Sequence, residues 1–239
     1  MPTKTYDKQD PRSIRSLFAN IAKRYDLGNA ILSMRLFRHW NRQLIAQVLE
    51  PTQPDVILDL CCGTGDIAYT YLKHAEKLPK TLFMIDFCEE MIQCAKAKKP
   101  TVASDIHYIV GDAQDIPLPS NSVDAVTIAY GIRNIADPAR AIAEAFRILK
   151  PGGHLGILEL TRPTNPIIRF GHSIYLKTFV PIVGRLLTSD KQAYDYLQHS
   201  IKRFIPATQL EEMMQTAGFA NTSVTPLTGG IATIICGTR

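Results

Sequence analysis

The chain has 239 residues, 46% of them hydrophobic and 21% charged, a composition that suits one globular unit with a full apolar core. Its formal net charge of +5 is a small surplus, read as ordinary solubility rather than as a signal for nucleic acid. Lys4, Asp7, Lys8, Asp10 and Arg12 stand where a secretory signal needs an apolar stretch, and no uncharged apolar run approaches the ~20 residues of a membrane-crossing helix, so a cytoplasmic protein with at most peripheral membrane contact is expected.

Leu36, Trp40, Leu44 and Val48 recur every four residues and predict an amphipathic helix ahead of the core. From residue 56 onward β-rich runs alternate with helical patterns, the sign of a parallel sheet covered on both faces. The expected strands are Val56 to Leu60, Leu82 to Ile85, Ile106 to Val110, Val123 to Tyr130 and His154 to Leu160. The clearest helix between them runs from Pro138 to Leu149, with proline in its first turn and Gly152 and Gly153 after its end. Residues 162 to 205 interrupt the alternation with an aromatic and aliphatic insertion. At the end, "NTSVTPLT", Gly229-Gly230 and "IATIICGT" predict a strand, a glycine turn and a returning strand that closes the sheet antiparallel. A nicotinamide-type sheet of two βαβαβ halves has no need of that ending.

The five cysteines, Cys61, Cys62, Cys88, Cys94 and Cys236, contain no Cys-x-x-Cys pair. Zinc sites draw on such spacing so that two sulfurs reach one ion, and adjacent cysteines on a strand point to opposite faces. No metal site is expected, and Cys61 and Cys62 are taken as reduced bystanders.

The first strand runs into Gly63-Thr64-Gly65-Asp66-Ile67-Ala68, which satisfies the dinucleotide fingerprint G-x-G-x-x-A on its face. Glycines allow the tight turn and bring backbone N–H groups to the ligand, a requirement shared by several adenosine cofactors. Three acidic residues discriminate. Asp59, at the strand end, suits a cationic amino-acid group and would repel a pyrophosphate. Asp86 ends the second strand 21 positions after Gly65, where it can take both ribose hydroxyls. In "GDAQDIP", Asp112 can accept from an adenine amino group while Ala113 offers its backbone N–H. Taken singly, Asp59 is equally a solvated strand end and Asp112 a turn former.

As a set, with "LKPGG" before the fifth strand, these residues resemble the class I S-adenosylmethionine-dependent methyltransferases. The Asn/Asp-Pro-Pro motif by which nucleic-acid methyltransferases grip a flipped base is missing from "IAYGIRNIAD", and neither Cys88 nor Cys94 has the setting of a cytosine-attacking nucleophile, so nucleic acid is not expected as a partner. Further stretches, "FANIAKRYDLGNAILSM", "YGIRNIAD", "AYDYLQHSI" and "GGIATIICG", resemble the ubiquinone/menaquinone biosynthesis C-methyltransferases over nearly the whole chain. That resemblance implies one methyltransferase domain over residues 1–239 in an α/β Rossmann-like fold. The sheet would be seven-stranded and mostly parallel. A helical lid over residues 1–50 and a substrate-side insertion at 162–205 would flank it.

It further implies S-adenosylmethionine as cofactor, contacted by Thr64, Asp86, Asp112 and Ala113. The substrate would be a reduced polyprenylated quinol methylated on a ring carbon, giving menaquinol or a ubiquinol precursor. The chain departs from the family at Ala129, commonly serine, and at His199, commonly glutamate. Arg133 and Asn134 follow the fourth strand at the ligand edge of the sheet. Arg133 is expected to stabilise the quinol oxyanion, with Asn134 orienting a water or the hydroxyl. The alternative for Arg133 is a pair with Asp137. Tyr25 and Asp26 are expected to close over the cofactor, Tyr25 being otherwise a packing aromatic. In the insertion, Phe170, Ile174, Tyr175, Phe179, Val180, Ile182, Val183, Leu186 and Leu187 are expected to line a groove for the isoprenoid tail, the alternative being ordinary core packing. Its charges, Arg162, Arg169, Lys177, Arg185, Lys191, Lys202 and Arg203 against Asp190 and Asp195, suit an anionic bilayer. A small-molecule methyltransferase acting on another phenol or sterol-like lipid, a nicotinamide oxidoreductase and a non-catalytic cofactor-binding subunit are the competing readings.

Overall fold

The computed structural model describes residues 10–187 and 191–239. Lys4, Asp7, Lys8 and Asp190 lie outside the described residues, as do the side chains of Arg185, Leu186, Leu187 and Lys191. Seven strands, β1 (Val56–Leu60), β2 (Thr81–Asp86), β3 (Asp105–Val110), β4 (Val123–Ala129), β5 (Leu149–Leu160), β6 (Ala220–Leu227) and β7 (Ala232–Thr238), form one sheet in the order β3-β2-β1-β4-β5-β7-β6. The pairs among β1 to β5 are parallel, and β7 runs antiparallel between β5 and β6. The mostly parallel α/β sheet with an antiparallel C-terminal hairpin is therefore as the alternation predicted.

The described helices are α1 (Pro11–Ile21), α2 (Tyr25–Leu32), α3 (Leu36–Val48), α4 (Asp66–His74), α5 (Glu89–Ala97), α6 (Pro138–Ile148), α7 (Pro166–Leu187), α8 (Lys191–Arg203) and α9 (Ala207–Ala217). Successive strand residues alternate between two apolar layers, because the side-chain period of a strand is two. Ile57, Leu158 and Ile234 pack with Trp40, Leu44 and Val48 of α3 and with α4 and α5. Leu58, Ile157 and Ile235 pack on the opposite face with Ile142 of α6 and with Leu210 and Met214 of α9.

Boundaries differ from expectation where backbone geometry overrides pattern. β4 stops at Ala129 because Tyr130 has φ +57°, a left-handed conformation no strand accommodates. β5 starts at Leu149, directly on the end of α6, so Gly152 and Gly153 do not terminate the helix. They sit in an irregularity between the Val123–Leu149 and Ala125–His154 pairings, where Gly152 N–H donates to Arg239 C=O and Arg239 N–H to Gly153 C=O. Cys61 is likewise past the strand, at φ +57°, so the opposite-face argument for the two cysteines does not describe their geometry.

The approach of α3 to β5 depends on Gly156, where an added methyl would overlap the side chains of Val48 and Leu44. Gly156→Ala should therefore lower stability by ~1–3 kcal/mol through overpacking, read as a fall in the urea midpoint at constant slope.

Candidate active site

The site lies at the carboxyl ends of β1 to β4, where the chain direction through the sheet reverses between β1 and β4. Asp86 closes β2 and accepts from Gly63 N–H at 2.8 Å and Cys88 N–H at 2.9 Å, one bond to each carboxylate oxygen. Burial pushes its pKa up to about 6, while those N–H donors favour the anion. Gly63, at φ +54°, faces open space, so the loop backbone is accessible there. Gly65 plays a different part: at φ +86° a Cβ would come 2.7 Å from Met84 Cε and Tyr69 Cε2. Its requirement is close packing, and it does not line the cleft. Thr64 is buried and donates to Asp26 Oδ1 at 2.5 Å, and Asp26 also pairs with Lys98 at 2.6 Å. The start of α2 is thereby fastened to the glycine loop.

Asp59 is 2% exposed; Thr127 Oγ1 donates to its Oδ1 at 2.8 Å, while Oδ2 is buried without a partner. Burial raises its pKa to about 7. It is therefore no solvated strand end. It lines a small polar pocket with Asn41, Cys62, Thr64 and Asp66. Cys61 and Gly63 continue from that pocket into a larger cleft lined by Ile14, Phe18, Asp86, Asp112, Ala113 and Asn134. Asp112 accepts from the backbone N–H of Gln114 at 2.9 Å, the turn-forming bond, while still facing the cleft. The Cys61, Cys62 and Cys88 thiols are all pushed up by burial, Cys88 to about 12, so none is a ready nucleophile. Among the described residues no cluster of His, Cys, Asp or Glu could hold a metal ion.

A second cavity of about 300 Å³ adjoins the cleft and is mostly apolar, walled by Leu32, Phe37, Trp40, Tyr175, Leu176 and Val180. Tyr25 and Tyr130 line both cavities and form the partition. The 3₁₀ turn Ile132–Asn134 faces both: Arg133 lines the apolar chamber and Asn134 the cleft. Arg133 and Asn134, expected side by side at the substrate, thus face different cavities. Asn134 Nδ2 donates to Tyr130 C=O at 3.2 Å, and Tyr196 O–H donates to Asn134 Oδ1 at 3.0 Å.

Arg133 pairs with Glu159 rather than with Asp137, which instead caps α6 by accepting from Arg140 N–H. Glu159 has no exposure and accepts from Arg133 Nη1 at 2.5 Å, Arg133 N–H at 3.2 Å and Leu160 N–H at 2.7 Å. Arg133 Nη1 also donates to Tyr130 C=O at 2.6 Å, leaving Nε buried without a partner. Burial disfavours the guanidinium charge, but the Glu159 carboxylate holds its pKa above the usual value. Tyr25, its pKa raised by burial against the opposing charge of Arg133, contacts Phe18 edge-on.

The match to known proteins spans this whole arrangement: the ubiE/COQ5 methyltransferase family corresponds to residues 4–239. The chain belongs to that family. A demethylmenaquinone methyltransferase of Protochlamydia amoebophila is 46% identical over 236 residues, 98% of this chain and 97% of the relative. A ubiquinone/menaquinone biosynthesis C-methyltransferase UbiE of Dinoroseobacter shibae is 34% identical, over 94% of this chain and 89% of its own length. In fold, the chain is similar to a SAM-dependent methyltransferase, possible histamine N-methyltransferase, of Thermotoga maritima, with TM-score 0.66, 20% identity and coverage of 93% and 98% of the two chains. This ubiE/COQ5 protein is an S-adenosylmethionine-dependent methyltransferase. Its residues fit the cofactor: Asp59 Oδ2 is an orphaned buried acceptor for a cationic group, Gly63 is open, and each Asp86 oxygen has a lone pair beyond its backbone bond.

His199 lies exposed on α8, its Nδ1 at 2.6 Å from Asp195 C=O, away from every described cavity. Ala129 lines both the cleft and the polar pocket, so a serine hydroxyl at that position would have faced the ligand. Glu159, which holds Arg133, and Tyr130, which lines both cavities, were not among the expected site residues. The available signal was a lone carboxylate in the apolar run "ILEL" of a strand expected to be buried on both faces. Glu159→Leu should cost ~3–5 kcal/mol, because it leaves Arg133 buried and unpaired, whereas Glu159→Leu combined with Arg133→Met should cost less than the two single changes added. Chemical denaturation of the three variants measures both.

Proposed function

We propose that this methyltransferase acts on the ring carbon of a reduced, polyprenylated naphthoquinol, converting demethylmenaquinol to menaquinol. One observation carries the reading: an apolar chamber meets the cofactor cleft at Tyr25 and Tyr130, and Arg133 is the single Lys or Arg among its described lining residues. The names of relatives up to 46% identical point the same way.

Bound S-adenosylmethionine supplies an electrophilic methyl group and requires no metal. The chain's own residues then have three tasks. Asp59 holds the cationic amino-acid end, Asp86 the ribose hydroxyls, and Asp112 with the Ala113 N–H the adenine edge. Arg133, always protonated, lines the chamber and stabilises the oxyanion whose charge makes the adjacent carbon nucleophilic. Glu159 offsets part of the guanidinium's charge and fixes its position. Asn134, on the cleft side, fixes the partition through Tyr130. Ile14 and Phe18 of α1 and Tyr25 at the start of α2 line the cleft, so α1 and the start of α2 serve as the cover that excludes water, while α3 belongs to the core. The substrate's tail keeps it in a bilayer, and among the described residues no helix is long and apolar enough to cross one, so the protein meets its substrate at the membrane surface.

The deciding experiment incubates purified protein and labelled cofactor with demethylmenaquinol and, separately, with a polyprenyl-methoxy-benzoquinol. Labelled menaquinol is the expected product, and methylation of the benzoquinol alone would overturn the naphthoquinol assignment. Arg133→Met should lower single-turnover methyl transfer by ~10²–10³ with cofactor affinity unchanged, and Arg133→Lys should recover only part of it. Cofactor affinity should also depend on pH. The folded-state pKa of Asp59 is raised, to about 7, so the anion that holds the cation is lost as pH falls through that value. Calorimetry at pH 7.5 and pH 6 should show affinity weaker by about tenfold at the lower pH, with Asp86 adding in the same sense below about 6.

A further inference from the structure

Helix α7 has two apolar faces. Tyr175, Leu176 and Val180 line the chamber, whereas Ile167, Phe170, Ile174 and Ile182 recur at helical spacing on the outer side and face solvent, Ile167 being 83% and Phe170 70% exposed. The groove expected from the insertion thus takes only part of its apolar side chains. Beside it, the α2–α3 turn presents Leu27, Ile31, Met34 and Leu36 outward, Met34 at 67% exposure. The two patches adjoin, because Tyr175 O–H of α7 donates to Leu32 C=O at the end of α2. An exposed apolar surface formed from two elements marks an interaction site.

We propose that the outer face of α7 and the α2–α3 turn together form a docking surface that inserts into an anionic lipid bilayer, with the mouth of the chamber at its centre.

Charge selects the bilayer as occupant. The chain contains 22 acidic residues, yet none falls between residues 27 and 49 or between 161 and 187. The same segments carry Arg35, Arg38, Arg42, Arg162, Arg169 and Lys177. Apolar side chains set among cations, in segments that themselves carry no carboxylate, match an anionic headgroup layer over an acyl interior. The chamber supplies the second argument. Met34 and Leu36 belong both to its lining and to the exposed patch, so it opens through this surface. A tail can then stay in the acyl layer while its ring reaches Tyr25 and Arg133. This last point rests on the quinol reading; the docking surface itself does not.

The test uses the full chain, without substrate, sedimented with vesicles of phosphatidylcholine alone and of phosphatidylcholine and phosphatidylglycerol in equal parts. Binding should require phosphatidylglycerol. Ile167→Glu combined with Phe170→Glu, neither of which lines a described cavity, should weaken it by about tenfold or more, and Lys177→Glu by several-fold. Turnover of a long-tailed quinol in vesicles should fall in parallel, while that of a short-tailed, water-soluble quinol stays at the wild-type level. Vesicle binding that ignores phosphatidylglycerol or survives the double change would overturn the proposal. So would a wild-type dimer that the double change converts to monomer, since the face would then be covered by a second copy. If the wild-type protein methylates no short-tailed quinol, the quinol reading fails while the vesicle result stands by itself.

Discussion

A carboxylate with no solvent contact is tolerable only where donors converge on it, and Glu159 gathers three: the Arg133 guanidinium, the Arg133 backbone N–H and the Leu160 N–H. Two of them belong to one residue of the turn after β4, so the carboxylate of β5 fixes both the backbone and the side chain of Arg133. The turn cannot rotate without stranding a buried charge. From this follows the division of labour in the site, with Arg133 facing the apolar chamber and its neighbour Asn134 facing the cofactor cleft.

The partition between the cavities depends on the same turn. Tyr130 holds a left-handed conformation that costs a bulky residue on the order of 1–3 kcal/mol, and the surroundings must over-determine it. They do so from several sides. Its N–H donates to Leu158 C=O, its carbonyl accepts from Arg133 and Asn134, and its O–H donates to Asn41 Oδ1 of α3. Asn41 in turn donates to Asp66 at the start of α4. Helix α3 is thus a polar support for the reaction site as well as an apolar layer of the core, which is why its close seat on Gly156 bears on function.

Much of this was legible in the sequence because it depends on short-range rules. Alternation of strand and helix patterns, the glycine turn and the acids at strand ends are local features, and β1, the sheet class and the C-terminal hairpin follow from them. Asp59, Asp86, Asp112 and Ala113 meet around one loop because parallel strands bring their carboxyl ends to one edge. What was not legible depends on partners distant in the chain. The Asp137 alternative for Arg133 was a neighbour in sequence, whereas Glu159 lies 26 residues away on the adjacent strand and becomes a partner only through strand pairing. Gly65 matched the motif as a ligand contact, yet its packing against Met84 and Tyr69 is visible only in three dimensions.

The sequence by itself determined the chemistry on offer: a cofactor loop with no metal motif, a cationic turn after the fourth strand, and an apolar insertion with more cations than carboxylates. Tertiary structure alone decided how these are apportioned. Whether an apolar side chain of α7 lines a chamber or faces solvent depends on which side of the helix rests against α2 and α8, and a helix pattern with apolar residues on both faces leaves that rotation open. Which of two neighbouring residues faces the apolar chamber depends on a buried ion pair whose members are brought together only when β5 is laid beside β4.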